Sequence, residues 1–205
     1  CSKTVIRRDV PVMIGVALLF WYMAQDGVLS RGEGVFLLVG SFLYTGIAYY
    51  LALRDPNPDI PPEALGEVKT TLSADLFKIA VGLVALVAGS KLLLQGSVAI
   101  AKQVGMSDEV IGLTLIAAGT SLPEFATSVM AALRKEPDIA IGNVVGSNIF
   151  NILGILGVAG TILPLQVSQH MIGIDTPLMV VISLGCLPIM RSGFQITRLE
   201  GLVLF

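Results

Sequence analysis

The stretch Gly112-Leu-Thr-Leu-Ile-Ala-Ala-Gly-Thr-Ser-Leu-Pro-Glu124 ends an apolar run with a proline and a carboxylate. Within a bilayer one acid costs at least ~2.5 kcal/mol, so such a residue calls for a functional explanation. Pro123 has no N–H to offer the carbonyl four residues earlier, and irregular backbone is tolerated at membrane depth only beside a cavity. Thr120, Ser121 and Glu124 add hydroxyl and carboxylate oxygens, the ligands that hard cations such as Ca²⁺ prefer. The stretch therefore predicts a cation site inside a membrane-spanning helix.

A second polar segment follows, Asp138-Ile-Ala-Ile-Gly-Asn-Val-Val-Gly-Ser-Asn-Ile-Phe-Asn151. Asn143, Ser147 and Asn151 recur every four residues, which predicts one polar stripe along a helix. Asn148 adjoins this stripe, and both Asn143 and Asn148 are further candidate ligands. Two glycines four residues apart in the same segment predict that another helix approaches closely.

The composition around these segments is typical of a membrane protein. Of 205 residues 54% are hydrophobic and 14% are charged, whereas soluble domains contain about 25% charged residues. A net charge of −2 gives nucleic acid no electrostatic reason to bind. Two cysteines and one histidine supply neither a zinc cluster nor a Ser-His-Asp or Cys-His centre. We therefore expect a polytopic membrane protein that is not an enzyme.

Six stretches approach the roughly 20 apolar residues that a helix needs to cross the hydrocarbon core. A seventh begins near Glu200 and continues to Phe205. The six stretches are about Val10–Ala24, which is short, Val35–Leu53, Leu76–Ala101, Val110–Leu133, Ile139–Leu163 and Met171–Met190.

The basic residues of the loops predict an orientation for these spans. The loops on the side of the N-terminal end carry ten Lys and Arg residues, whereas the opposite loops carry two, Arg31 and Lys102. By the positive-inside rule the N-terminal end is cytoplasmic, and we expect a multi-pass protein of the cell (inner) membrane. The longest loop, residues 54–75, contains four prolines and is expected to be a solvated cytoplasmic linker.

Two pairs of segments indicate an internal repeat. Asp9-Val-Pro-Val-Met13 resembles Asp175-Thr-Pro-Leu-Met179, and Leu29-Ser-Arg-Gly-Glu-Gly34 resembles Ile196-Thr-Arg-Leu-Glu-Gly201, at offsets of 166 and 167 residues. Five spans separate the copies, and an odd number reverses their orientation, as in the inverted repeats of many secondary transporters. The first copy of the two polar segments would fall before residue 1. We therefore expect this chain to be part of a ten-span protein.

Residues 112–124 and 138–151 together resemble the second alpha repeat of the cation/calcium antiporter superfamily, in particular of prokaryotic sodium/calcium exchangers. The resemblance implies an all-α, ten-helix inverted-repeat fold, of which this chain covers about six spans and the start of another. It implies that residues 1–53 hold the last two spans of the first repeat and residues 54–75 the linker. Residues 76–205 then form the second repeat, cut short in its last span.

The resemblance also implies roles for individual residues. Glu124 matches a carboxylate shared by Ca²⁺ and Na⁺, and Thr120 offers its backbone carbonyl to Ca²⁺. Asn151 stands where some members carry Asp, so this site holds one potential charge fewer. The implied Na⁺ sites are completed by Ala117, Thr120, Ser121 and Ser147. The partner carboxylate belongs to the first alpha repeat, so the expected partners are that missing half of the protein, the lipid bilayer and the transported cations.

The function implied is secondary-active antiport of Ca²⁺ against Na⁺ by alternating access, with both ions as transported substrates and no organic cofactor. Because the carboxylates neutralise either one Ca²⁺ or several Na⁺, competition makes the exchange obligatory. One alternative is an H⁺/Ca²⁺ exchanger in which Glu124 cycles a proton. The other is a cation channel, which needs a continuous pore, usually with rings of charge from several subunits.

Four further polar residues have plainer interpretations. Asp9 and Asp175 lie near span ends before prolines and are expected to cap helices. His170 is expected to be solvated in an exterior loop. Lys91, with Gln95 one turn further on, is expected to snorkel or to pair structurally rather than to act in transport.

Overall fold

Helices make up most of the chain that the computed structural model describes, which comprises residues 5–54 and 71–191. The sequence favours them because long apolar runs in a bilayer must satisfy their backbone hydrogen bonds internally. In chain order the α-helices are α1 (Val10–Met23), α2 (Arg31–Arg54), α3 (Leu72–Gln103), α4 (Asp108–Ile111), α5 (Ala117–Thr120), α6 (Leu122–Leu133), α7 (Pro137–Phe150), α8 (Gly157–Ile162) and α9 (Thr176–Arg191).

Shorter elements connect these helices. The loops after α1 and α8 pair as a two-stranded antiparallel sheet, in which Val28 lies opposite Gln166 and Leu29 opposite Leu165. The strands are β1 (Val28–Leu29) and β2 (Leu165–Gln166), a 3₁₀ turn covers Ala24–Asp26, and π-helical turns cover Val5–Asp9, Gly112–Ile116, Asn151–Leu156 and Met171–Asp175.

Four helical stretches in the described part of the chain are long and apolar enough to cross a membrane, and the predicted all-α fold is confirmed. Two predicted spans differ from this pattern. The first is short, because α1 has 14 residues. The fourth, residues 110–133, is divided among α4, a π-helical turn, α5 and α6. The four long stretches are Arg31–Arg54, Leu72–Gln103, Pro137–Ile162 and Met171–Pro188.

The described residues form two compact units, residues 5–54 with 135–191 and residues 71–134. The predicted division into residues 1–53, 54–75 and 76–205 stays a prediction. Most of the proline-rich linker and the whole seventh span lie outside the described residues.

In the first unit, α2 packs directly against α8 because glycines remove the side chains between them. A Cβ on Gly34 would overlap the backbone of Gly160, whose Cα lies 2.9 Å away, and of Thr161. A Cβ on Gly157 would come within 2.7 Å of the Leu38 nitrogen. The predicted close approach at Gly142 and Gly146 is different, because no described atom would lie within 4 Å of a Cβ at either position.

The N-terminus of α2 is set by a capping box. The Ser30 backbone N–H and hydroxyl both donate to Glu33 Oε2, at 2.8 and 2.7 Å, and the Glu33 N–H lies 3.4 Å from Ser30 Oγ. These bonds satisfy backbone donors that have no partner within the first turn of a helix. They fix where α2 begins after the β1 strand.

The apolar core of the first unit is formed where α1 packs on α7 and α9. Buried members on α1 include Val10, Ala17 and Phe20, and α7 contributes Val145 and Ile149. Dense packing of this kind is what holds helices together in a bilayer, where neither partner gains from leaving water.

Asp9 does not cap α1, which corrects the prediction made for it. The residue is 8% exposed, and its side chain makes no capping hydrogen bond. Arg8 Nε donates to Asp9 Oδ1 at 2.7 Å, Arg8 Nη2 to Oδ2 at 3.1 Å, and the Tyr44 hydroxyl to Oδ1 at 3.2 Å. The hydrogen bonds that Arg8 donates to Asp9 raise the pKa of the Arg8 guanidinium, against the opposing effect of burial. The carboxylate therefore ties the start of α1 to α2.

Two turns of the first unit are alike at the positions of the predicted repeat, which stays a prediction. The π-helical turns Val5–Asp9 and Met171–Asp175 have the same length, lie 166 residues apart and each end in Asp. Each leads directly into a helix, α1 or α9, that carries Pro at its second position. The related elements also touch, since α1 packs on α9 and the Trp21 indole N–H donates to the Ile172 carbonyl at 3.0 Å.

In the second unit, the long helix α3 packs against α4, α5, α6 and the π-helical turn between them. The motif of residues 112–124 therefore lies against one side of a single continuous helix. This arrangement positions the first half of the candidate site.

Candidate functional site

The first half of the site is an interrupted helix. α5 ends at Thr120, Ser121 takes the turn conformation φ −94°, ψ 2°, and α6 begins at Leu122 with Pro123 at its second position. The Ser121 N–H donates to the Ala118 carbonyl at 3.1 Å, one residue nearer than in an α-helix. Because Pro123 has no N–H, the Gly119 carbonyl cannot receive its usual helical bond. The predicted proline break is confirmed.

Glu124 stands in the first turn of α6, immediately after this break. The residue is half-buried, and its Oε2 atom is shielded from solvent. A carboxylate near a helix N-terminus is favoured by the helix dipole, which lowers the cost of holding a charge there. Thr120, just before the break, and Ser121, at the break, are both exposed. The break thus gathers two hydroxyls, one carboxylate and backbone carbonyls within five residues.

The helix α3 approaches this break closely. A Cβ on Gly119 would lie 2.6 Å from Leu94 Cδ1, so the glycine provides the room for this contact. A cavity of about 270 Å³ lies beside the contact. Its lining consists of Val87, Ser90, Lys91 and Leu94 from α3 with Gly119, Thr120 and Pro123 from the motif.

A second group of candidate ligands lies on α7, in the first unit. The Ser147 hydroxyl donates to the Val144 carbonyl at 3.0 Å, and the Asn148 amide nitrogen donates to the same carbonyl at 2.8 Å. Both side chains act as donors in these two bonds. The lone pairs of Ser147 Oγ and Asn148 Oδ1 therefore stay available to a cation. Asn143 is half-buried on α7, and Asn151 is exposed where the helix passes into a π-helical turn.

A second cavity, of about 400 Å³, runs along α9 in the same unit. Its polar lining groups are Asn148, Asp175 and Ser183, of which Ser183 donates to the Met179 carbonyl at 2.7 Å. Sequence reasoning did not single out Ser183, although it lies two helical turns from Asp175 on the same face. Asp175 Oδ1 also lies 3.6 Å from His170 Nε2, and the His170 side chain is 68% exposed.

The donor set fits an ion held by oxygen. Within the described residues no three His, Cys, Asp or Glu side chains come together as a metal cluster. The candidate groups are instead hydroxyls, amide oxygens, carbonyls and one carboxylate, which suit Na⁺ and Ca²⁺ better than zinc or copper.

The predicted residues fall into two groups. Ala117, Thr120, Ser121 and Glu124 belong to the second unit, and Asn143, Ser147, Asn148 and Asn151 belong to the first. The first group lies along the interrupted helix from α5 to α6, and the second lies on α7 and at the start of the π-helical turn that follows it. A single ion site that joins both groups stays a prediction.

A family model and two sequence relatives show which known proteins this chain is similar to. Residues 75–205 match the family model described as sodium/calcium exchanger protein. CaxA of Alkalimonas amylolytica is 40% identical over 211 residues, which cover 99% of this chain and 66% of that protein. The sodium/calcium exchanger MaX1 of Methanosarcina acetivorans is 44% identical over 130 residues, which cover 63% of this chain and 37% of that protein.

A solved structure agrees with these sequence relatives. The sodium-calcium exchanger NCX_Mj, soaked with 10 mM Na⁺ and 10 mM Sr²⁺, matches with a TM-score of 0.77 at 27% identity, over 99% of this chain and 63% of that one. This chain thus spans less than two thirds of the length of NCX_Mj, and 66% of CaxA.

Proposed function

This chain belongs to the sodium/calcium exchanger protein family, and from that premise we propose that it works in an antiporter that exchanges Ca²⁺ for Na⁺ by alternating access. It is a multi-pass membrane protein of a cation-transporting family. The observation that carries the proposal is the interrupted helix at Ser121, with the shielded carboxylate of Glu124 directly after it.

The proposed exchange follows from charge balance at this carboxylate. An ion that leaves water must regain its oxygen ligands and a compensating negative charge, because uncompensated charge is costly within a bilayer. Glu124 supplies charge, and the neutral oxygens supply the remaining ligands. Ca²⁺ and Na⁺ compete for the same groups, so one leaves before the other binds. The proposed ligands are Ala117, Thr120, Ser121, Glu124, Ser147 and Asn151, with Asn143 and Asn148 beside them.

Proton coupling is the second candidate for the same carboxylate. In this alternative a proton, rather than Na⁺, replaces Ca²⁺ at the Glu124 carboxylate. The neutral side chain at Asn151 leaves the charge of this half-site at one, which also fits exchange of a proton. The choice of counter-ion is therefore part of the test.

The test uses Glu124→Gln in the intact protein, reconstituted into vesicles. The amide keeps the shape of the side chain but removes its charge, so Ca²⁺ uptake driven by a Na⁺ gradient should fall on the order of 100-fold. Glu136→Gln, at an exposed acid before α7, is the matched control and should transport normally. Uptake is measured with an opposing Na⁺ gradient, a proton gradient or neither.

Each outcome decides between the functions. Uptake that needs Na⁺ supports the proposal, and uptake that needs only a proton gradient supports the second candidate. Ca²⁺ flux with neither gradient would indicate a channel. Near-normal uptake by a well-folded Glu124→Gln variant would refute the assignment of the site.

A further inference from the structure

Lys91 places a positive charge deep within α3. It lies eleven residues before Lys102 near the end of the helix, roughly 16 Å at the helical rise of 1.5 Å per residue. Long basic side chains snorkel to the interface from near helix ends, and this position is far from both ends of α3. An ionisable residue at that depth usually faces a cavity and has a function.

The surroundings of Lys91 make this charge relevant to the motif. Lys91 lines the cavity of about 270 Å³ together with Thr120 and Pro123 of the interrupted helix. The contact between Leu94 and Gly119 holds α3 against the motif one turn away from Lys91. No described carboxylate forms an ion pair with Lys91, whereas Lys78 on the same helix pairs with Asp75 at 3.3 Å. Lys91 and the candidate cation ligand Thr120 therefore share one cavity.

We propose that Lys91 is a specificity-determining residue, a fixed positive charge beside the cation site that weakens Ca²⁺ binding more than Na⁺ binding. This inference rests on the proposed antiport function. Coulomb repulsion scales with the product of the charges, so the penalty for each divalent ion is twice that for each monovalent ion.

The consequence of this repulsion is faster release. A transport site must bind an ion firmly enough to select it and weakly enough to let it go. Glu124 attracts both ions and Ca²⁺ more strongly. The ammonium group of Lys91 lowers the affinity for Ca²⁺, so that the ion is released rather than trapped. The charge of Lys91, rather than its shape, carries the effect.

The experiment compares Lys91→Gln with Lys91→Arg in the intact protein. We expect Lys91→Gln to lower the half-saturating Ca²⁺ concentration roughly ten-fold and that of Na⁺ roughly three-fold, because the shift in its logarithm scales with ion charge. The maximal exchange rate should fall, since release slows. Lys91→Arg keeps the charge and should stay within about two-fold of the wild type. Lys102→Gln, at the end of the same helix, is the matched control for loss of a lysine.

Equilibrium Ca²⁺ binding to the purified protein in detergent is measured in parallel, because it tests the charge effect without transport. Tighter Ca²⁺ binding by Lys91→Gln supports the inference, even if the wild-type protein fails to exchange ions. Failure to exchange would overturn only the proposed function. Unchanged affinities for Ca²⁺ and Na⁺ overturn the inference, whether or not the exchange rate falls. It also fails if Lys91→Arg behaves like Lys91→Gln.

Discussion

Asn151 is the residue at which the charge of the candidate site is decided. It is exposed at the end of α7, where the helix changes to a π-helical turn, and it offers a neutral amide oxygen. An acid at this position would add a second negative charge to the proposed ligand set, in which Glu124 is the one carboxylate. Extra negative charge favours a divalent ion or additional Na⁺. The choice between Asn and Asp at position 151 therefore bears on the number of ions exchanged.

We expect Asn151→Asp to change the Na⁺ or pH dependence of Ca²⁺ uptake, with a several-fold lower half-saturating Ca²⁺ concentration, because the added carboxylate attracts the ion. Uptake is measured in vesicles over a series of Na⁺ concentrations and pH values. Asn151→Leu, which removes the oxygen at similar volume, should weaken uptake. If both variants matched the wild type in both dependences, Asn151 would not face the ions.

Single residues also show what sequence reasoning can and cannot predict. The break at Pro123 was predictable because the missing N–H is a local property of the residue. The role of Asp9 was not, because its partner Tyr44 lies 35 residues further along the chain and reaches it only after α2 has packed. Capping is the local alternative, and tertiary contacts override it.

Among the elements, α2 and α8 show how glycine position determines packing. Gly34 and Gly157 allow backbone contact, whereas Gly142 and Gly146 have open space beside them in the described structure. From the sequence, all four glycines look equally suitable for a helix contact. A small residue permits close approach but does not specify a partner. The long apolar runs of α3 and of α7 with α8 were predicted correctly, since hydropathy alone determines them.

At this scale we predict that Gly34→Ala destabilises the protein by at least ~2 kcal/mol, because the new Cβ meets backbone that cannot rotate away. Gly46→Ala is the control, because Gly46 lies on the same helix and no described atom lies within 4 Å of its Cβ position. It should be neutral or slightly stabilising, as alanine favours helix. The two variants are compared by thermal unfolding in detergent. Equal unfolding temperatures would contradict the packing described for α2 and α8.

For the whole molecule, the distribution of basic residues makes an orientation testable. By the positive-inside rule, the turn between α6 and α7 is predicted to be cytoplasmic and the loop between α8 and α9 to lie on the opposite side. Glu136 and Gln169 are exposed positions in these two segments. The division of the chain into repeats depends on the same alternation of sides.

We expect Glu136→Cys to react with a membrane-impermeant maleimide only after the cells are opened, and Gln169→Cys to react in intact spheroplasts. Both are made after replacement of the native Cys1 and Cys186. Labelling of both positions from the same side would contradict the predicted topology. The reverse pattern would place the N-terminal end outside the cell.

The hydrogen bond from Trp21 to the Ile172 carbonyl gives the protein an optical property of its own. Trp21 is the sole tryptophan among the 205 residues, so the intrinsic fluorescence of the chain comes essentially from one indole. That indole sits where α1 meets the turn leading into α9, and the predicted repeat relates these two helices. Indole emission responds to local polarity and to the bond made by its N–H. The colour of the light that this chain emits therefore reports on one defined junction, without any attached dye.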